Sequence, residues 1–485
     1  MYTPATGQSF LSTRRGRLTL ALVCLAGFLD FIDTTIVNVA LPSIREQLGV
    51  PVGSLQWIIS GYLLTYGGFL LFGGRAADLF GRRRMLIAGT ALFGLSSLAG
   101  GLAASAAMLI GARLAQGLGA AMMTPAALST LTTSFAEGSD RVKAIGAWSG
   151  TIPLASAIGV LAGGLLSQGP GWRWVFFVNL PVCAVVLAGA LRLLPAQRHR
   201  APRKDFDLAG AILPTAGALV LVYALVKAPD IGWGNPRTIA GLAAAAVLVA
   251  AWERRRANPL FPLSIFKIQG LGAADATQVI AQAGFLSMFF FVTLYLQDVL
   301  GLSPIQAGAA YIPVTIGVGI GSGVSTKLLP RTGTRPLIVA GTLIGAIGVL
   351  WLSRIPAHGS YVTNVLPGLV VMALGLGATF VGVQTAANAG VPADKAGLAA
   401  ALISASSTLG GALGLAIFSA IAASRTHQLL TEHASRPGAL TSGFGQALTA
   451  CGLFLIAAAV IATRTARTRA HAAPSHKPVP ATDTA

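Results

Sequence analysis

From about Leu18 to Ile44 the chain stays apolar for longer than the ~20 residues a helix needs to cross a bilayer. Thirteen further apolar runs follow, and so many of them leave few folds open. In hydrocarbon a segment must satisfy its own backbone N–H and C=O groups, so such a chain packs as helices. The composition agrees. Of 485 residues, 54% are hydrophobic and 10% charged, against about 25% charged in a soluble domain.

The runs fall at about 18–44, 55–74, 85–103, 107–131, 144–167 and 172–195, then 207–228 and 237–252, then 269–296, 303–329, 335–355, 361–390, 395–423 and 442–463. The expected fold class is an all-α integral membrane protein of fourteen transmembrane helices: two six-helix bundles with an inserted two-helix hairpin. The implied divisions are 1–197, 198–256 (a basic linker and the hairpin), 257–465, and a tail over 466–485 whose Ala, Pro and Thr content reads as disordered. The halves echo each other weakly. Val52-Gly53-Ser54-Leu55-Gln56 opens the second span and Leu302-Ser303-Pro304-Ile305-Gln306 the tenth, and each of those spans is followed by a loop carrying Gly81-Arg82 or Gly333-Thr334-Arg335. Parallel six-span repeats are a common build of secondary transporters.

The net charge of +19 suggests nucleic acid until its distribution is considered. Segments on the N-terminal side of the membrane carry 26 of the 34 Lys and Arg, and the opposite loops carry 7. That asymmetry places both termini in the cytoplasm and assigns the charge to topology and lipid headgroups, with no nucleic-acid partner. Trp57, Trp172, Trp174, Trp252 and Trp351 lie near span ends, as an interfacial aromatic belt requires. The first run reads as a retained span, because it is too long for a signal peptide and is interrupted by Asp30 and Asp33. Cys24, Cys183 and Cys451 all lie within apolar runs and read as free packing thiols. All six histidines fall outside the runs, which leaves carboxylates to carry protons through the membrane.

Asp30 and Asp33 occupy the middle of the first span. A charged group at that depth costs ~2.5–3.5 kcal/mol on insertion scales, so it faces a cavity or a partner. Three residues apart, the two stand on one helix face beside Ala26, Thr34 and Val37. Two carboxylates that close do not both ionise readily, and the pair is expected to share one exchangeable proton. The alternative is that Asp30 turns toward a hydroxyl or backbone group and only packs.

The loop after span 2 reads Gly74-Arg75-Ala76-Ala77-Asp78-Leu79-Phe80-Gly81-Arg82-Arg83-Arg84. Basic residues alone would be ordinary topology. Glycines seven apart also let helix ends approach, and Asp78 can pair with an arginine or cap a helix N-terminus. The loop resembles the Gly-x-x-x-Asp-x-x-Gly-Arg-Arg/Lys motif of the major facilitator superfamily, which implies an inner gate built on Gly74, Asp78, Gly81, Arg82 and Arg83. Asp33-Thr34-Thr35-Ile36-Val37-Asn38-Val39-Ala40-Leu41-Pro42 is similar to the first-span signature of that superfamily's 14-span drug:proton antiporters. Arg113-Leu114-Ala115-Gln116-Gly117 and Gly171-Trp172-Arg173-Trp174 through Asn179-Leu180-Pro181 resemble the span-4 and span-6 motifs, and Leu294-Tyr295-Leu296-Gln297 with Gly301-Leu302-Ser303-Pro304 matches in the second half. The resemblance covers Leu18 to Arg464. It implies proton-driven export of drugs, antibiotics or other lipophilic molecules by alternating access, at the plasma membrane, powered by the proton gradient with no cofactor and no metal.

One motif departs. The span-5 pattern ends Gly-Pro-x-x-Gly-Gly, and here Val160 replaces the proline in Gly159-Val160-Leu161-Ala162-Gly163-Gly164. Gly146, Gly150, Gly159 and Gly163 still make small-residue faces suited to close helix contact, with plain packing the competing reading. Arg113 lies about 9 Å inside its span and Asp33 about 16 Å inside at 1.5 Å per residue, within reach of a long side chain. The alternative for Arg113 is a set of backbone carbonyls. Asn38, Gln278, Gln282, Tyr295, Gln384 and Asn388 are candidates to line the central cavity. Asp275 reads as an interfacial residue near the start of span 9, the alternative being a second proton or substrate site. Phe289, Phe290 and Phe291 point to different faces and read as packing or lipid contacts.

Other classes fit less well. An ATP-driven pump would need a phosphate loop, and no Gly-x-x-x-x-Gly-Lys-Ser/Thr sequence is present. No zinc-ligand cluster or nucleophile–base pair points to an enzyme. A proton-coupled importer or a metabolite exporter of the same fold is the nearest rival. Small-molecule substrate, protons and membrane lipids are the expected partners, and a monomer is expected to suffice.

Overall fold

The computed structural model describes residues 10–50, 52–135, 139–195, 270–388 and 396–465, with parts of 216–254. Every regular element among the described residues is helical. The first half contains α1 (Arg14–Leu48), α2 (Val52–Phe80), α3 (Arg82–Gly101), α4 (Ala106–Ser134), α5 (Ser139–Gln168), the single turn α6 (Trp174–Phe177) and α7 (Asn179–Leu193). One hairpin helix is described, α8 (Pro236–Arg254). The second half contains α9 (Leu271–Leu294), α10 (Pro304–Ala309), α11 (Ile312–Thr332), α12 (Thr334–Leu352), α13 (Leu366–Asn388), α14 (Ala396–Thr431) and α15 (Arg436–Ala462). Span 7 and the 466–485 tail lie wholly or largely outside the described residues.

Among the described residues, nine helices are long and apolar enough to cross a membrane. That count covers the described residues alone and does not confirm the expected fourteen; further long helices, α2, α3, α5 and α8, lie at expected spans. The helices do not coincide fully with the apolar runs. α1 is 35 residues long and extends into polar sequence at both ends, from a Thr13 cap that accepts the Gly16 N–H at 2.9 Å to Gly49 at φ 64°. Span 6 is split at Val178 and span 10 at Ala310–Tyr311, while α14 continues to Thr431, eight residues past the expected end. π-helical turns at Tyr295–Val299 and Tyr361–Val365 extend α9 and precede α13.

Within the first half, α4 packs on α2 and α3, and α1 packs on α5. Within the second, α13 packs on α11 and α12, and α9 packs on α14 and α15. Both halves use the same close contact. A Cβ on Gly89 of α3 would stand 2.6 Å from the Met123 nitrogen of α4, and one on Gly341 of α12 would stand 2.7 Å from the Thr379 nitrogen of α13. The sequence echo has a backbone counterpart too. Gly81 and Gly333 hold φ of 95° and 82°, and each starts the next helix, α3 or α12. These conformations suit glycine because it has no Cβ.

The aromatic belt is corrected at one position. Trp172 is fully buried, its Nε1 donating to Gln47 at 2.8 Å, because the residues around α6 fold back over the end of α1. Trp174 and Trp351 are exposed as a belt requires. Phe290 and Phe291 are buried packing residues, and the three thiols are free.

Candidate functional site: a buried acid–arginine cluster

α1 carries Asp30 and Asp33 into the middle of the first half, where both are buried. Asp33 is enclosed by four helices. Arg113 of α4 reaches its Oδ2 through Nη1 at 2.5 Å, while Gln116 of α4 and Asn179 of α7 each donate to Oδ1 at 2.8 Å. Ser97 of α3 accepts from Asn179 at 2.9 Å and donates to the Phe176 carbonyl at 2.9 Å. Each carboxylate oxygen therefore has a donor, as a buried charge requires.

Both readings of Arg113 hold together. While Nη1 pairs with Asp33, Nε donates to the Ile58 carbonyl at 3.0 Å. The guanidinium also stacks 4.3 Å above the Tyr62 ring. Its Nη2 has no hydrogen-bond partner among the described residues.

Asp30 has a separate set of partners, all hydroxyl groups. Tyr62 donates to Oδ1 and Thr124 to Oδ2, the latter at 3.1 Å. Tyr62 thus touches both halves of the cluster, with its ring beneath Arg113 and its hydroxyl on Asp30. Sequence reasoning missed Tyr62, Thr124, Ser97, Gln116 and Asn179. Gln116 and Asn179 lay inside motifs already noted; Tyr62 had no signal beyond being polar in an apolar run.

The glycines of α5 close the back of α1. A Cβ on Gly159 would meet Thr35 and Ile32 at 3.0–3.2 Å, and one on Gly163 would stand 2.9 Å from the Ile36 carbonyl. Gly164 faces the other way, with its Cβ position 2.6 Å from the Pro304 carbonyl of α10. Gly308 of α10 meets the Val160 carbonyl at 2.7 Å by the same measure. The side-chain surroundings of Gly146 and Gly150 lie outside the described residues.

The expected loop after span 2 shrinks to Gly81, because Gly74 and Asp78 lie within α2 and Arg82 and Arg83 open α3. Arg82 donates to Thr133 at 2.5 Å, and Arg83 reaches the Ala190 and Leu191 carbonyls at 3.2 and 2.8 Å. A Cβ on Gly74 would have an ordinary contact with Pro125 at 3.8 Å, so the tight approach there belongs to its neighbour Gly73, against the Ala121 carbonyl. The Asp78 side chain lies outside the described residues.

The cavity candidates separate. Asn38 donates across to Thr293 of α9 at 3.5 Å, and its Oδ1 has no partner among the described residues. Gln278 is buried, and Gln282 and Gln384 are half-buried. Tyr295 is buried with its hydroxyl on the Pro356 carbonyl at 2.7 Å, which fastens it to the loop before α13. The Asn388 side chain lies outside the described residues. A contact absent from the sequence reading joins the two halves beyond Asn38: Arg45 of α1 and Asp298, just after α9, form a two-pronged ion pair at 2.5 and 2.8 Å.

Known proteins similar to this chain identify its family. The chain is 38% identical to the puromycin resistance protein pur8 of Streptomyces alboniger, over 87% of this chain and 85% of that one. It is 37% identical to the cephamycin export protein CmcT of Amycolatopsis lactamdurans, over 93% and 92%, and 36% identical to the multidrug resistance protein Stp of Mycobacterium tuberculosis, over 86% and 78%. A solved bacterial homologue of the lysosomal transporter Spinster shares the fold at a TM-score of 0.63 and 19% identity, covering 93% of this chain and 97% of its own. The peptide transporter POT, in complex with sulfate, does so at 0.64 and 18%, covering 95% and 96%. The sequence profile of the Major Facilitator Superfamily matches residues 23–415, and the chain, a membrane-spanning transporter, belongs to that family.

Proposed function

We propose that this transporter exports antibiotics or related lipophilic small molecules from the cytoplasm in exchange for protons. Access alternates between a bundle over residues 1–197 and one over 257–465, with both termini cytoplasmic, in the plasma membrane. The observation that carries the coupling is the ion pair of Asp33 and Arg113, sealed among four helices. Removing one partner from such a pair costs ~3–5 kcal/mol, so a proton arriving at Asp33 acts strongly on the packing around it. Protonation takes away the counter-charge of Arg113 and leaves its guanidinium on the Tyr62 ring and the Ile58 carbonyl. Asp30 has turned to hydroxyl partners of its own, so on this reading the exchangeable proton belongs to Asp33 and Asp30 influences it only as a nearby acid on the same helix face. The drive is adequate: one charge crossing 100 mV yields ~2.3 kcal/mol, a roughly 50-fold gradient at 1.36 kcal/mol per decade.

Export is favoured over import by the relatives, which include proteins named for cephamycin export and for puromycin resistance. A metabolite exporter of the same fold is the second reading. The test is transport in inverted membrane vesicles under an imposed pH gradient, wild type against Asp33→Asn, with puromycin, a cephamycin and a panel of dyes. Gradient-driven accumulation by wild type, lost in the variant, is the expected result. Uptake indifferent to the gradient would end the exchange mechanism, and movement only in the reverse sense would make the protein an importer.

A further inference from the structure

Asp275 belongs to no part of this cluster. It lies on α9, four residues after Leu271 and so about 6 Å from the helix start, yet it is only 5% exposed. The interfacial reading would leave it in water; here the neighbouring helices cover it instead. Ser406 of α14 donates to its Oδ1 at 3.1 Å, and its Oδ2 is buried without a hydrogen-bond partner among the described residues.

Among the described residues the surroundings offer no counter-charge; Lys267, Asp394 and Lys395 lie outside them. α13 has no ionisable side chain along its whole length. On α14 the nearest ionisable residues past Ser406 are Arg425 and His427, about 28 Å along the helix by its rise. On α15 the only charged residue is Arg436, at the far end, and Cys451 lies level with Gly284, well up α9, its backbone carbonyl against that glycine. α1 meets α9 at its other end, through Asn38 and Thr293. Arg335, where α12 begins, and Arg464, after α15, are both exposed. The packing is also tight: Gly410 of α14 abuts the Val279 carbonyl, and a Cβ on Gly414 would stand 2.5 Å from the Ala283 Cα. An ionised carboxylate in such a place is costly, and one proton removes the charge without needing any space.

We infer that the Asp275 carboxyl, hydrogen-bonded by Ser406, is a second proton-binding site, placed in the half of the transporter that does not contain Asp33. Ser406 donates to the carbonyl oxygen Oδ1 of the neutral acid, and the proton sits on Oδ2. Separation of α9 from α14 at this end exposes the acid to the nearby aqueous face, where it releases the proton. This deepens the exchange reading by adding a second proton to the cycle.

The test uses the full chain in lipid nanodiscs near neutral pH. The infrared carbonyl stretch of a protonated carboxyl group is compared among wild type, Asp275→Asn, Asp275→Glu and Ser406→Ala. The wild-type minus Asp275→Asn difference is expected to show that band, Asp275→Glu to retain one, and Ser406→Ala to move it to higher frequency as the carbonyl loses its donor. Titration of unbuffered protein from alkaline pH down to neutral is expected to count about one proton fewer bound in Asp275→Asn. Superimposed spectra from wild type and a folded Asp275→Asn, or a band indifferent to Ser406→Ala, would overturn the assignment. Because the readout needs no transport, its failure leaves the vesicle result standing, and a failed vesicle result leaves the band.

Discussion

The ion pair between Arg45 and Asp298 fastens the two halves together at the end of α1 remote from the N-terminus, the side that the loop charges place outside. Its side chains are 17% and 9% exposed, so it lies between two regimes. Exposed pairs contribute ~0.2–1 kcal/mol, and breaking a buried pair costs ~3–5 kcal/mol. A two-pronged, mostly buried pair belongs near the middle, at about 2 kcal/mol. At 1.36 kcal/mol per decade that shifts a two-state equilibrium roughly 30-fold toward the conformer in which the halves are apart. Arg45→Gln or Asp298→Asn is the perturbation. Asn38 lies seven residues behind Arg45, about 10 Å deeper, so a cysteine at that position reports opening. In a Cys24→Ala background, with Cys183 and Cys451 buried, labelling of Asn38→Cys by a membrane-impermeant maleimide applied from outside is expected to quicken by up to roughly 30-fold in either variant. The charge-reversed pair, Arg45→Asp with Asp298→Arg, is expected to return it to within a few-fold of the starting rate. Unchanged labelling in both single variants would show that the pair does not hold the halves closed.

Three further outcomes follow from the cluster and the helix contacts. Tyr62→Phe keeps the ring beneath Arg113 and removes the donor to Asp30, so the pH profile of vesicle transport is expected to move while transport persists; an unmoved profile would make Asp30 a packing residue. Arg113→Lys retains the charge but forfeits the Nε bond to Ile58 and planar stacking on Tyr62, and gradient-driven transport is expected to fall at least tenfold with protein levels maintained. Gly111 meets nothing within 4 Å of an added Cβ, whereas Gly163 meets the Ile36 carbonyl at 2.9 Å; thermal unfolding in detergent is expected to show Gly111→Ala stabilised by ~0.5–1 kcal/mol and Gly163→Ala destabilised.

What could be read without coordinates was whatever depends on composition along the chain. Long apolar runs fixed the helical class, and depth along the helix sufficed to bring Arg113 to Asp33. Gly81 and Gly333 were visible as an echo because each holds a backbone angle that suits glycine. The rest of the cluster was hidden, since an amide such as Asn179 or a phenol such as Tyr62 acquires its meaning only from helix rotation, which the weak periodicity of a membrane helix does not fix. Arg45 and Asp298 stand 253 residues apart, and each looks like an ordinary end-of-span charge. Trp172 looked interfacial for the same reason: distance from a span end does not reveal what folds over it.

The geometry also bears on Val160, which stands where the antiporter pattern has proline. A proline bends a helix by removing an N–H and crowding the carbonyl four residues earlier. Here the contacts of α5 are made by other means: Gly159 and Gly163 press on α1, while Gly164 and the Val160 carbonyl press on α10. α5 therefore touches the acid-bearing helix on one side and the second half on the other, at contacts so close that one added methyl would force backbones apart. Packed interfaces of this kind switch between discrete arrangements instead of deforming smoothly. On the proposed exchange, a proton at Asp33 needs to move α1 only slightly against this seam for the displacement to reach α10. A bend at position 160 is unnecessary to that transmission, because close backbone approach at the glycines already supplies the contact through which the two halves act on each other.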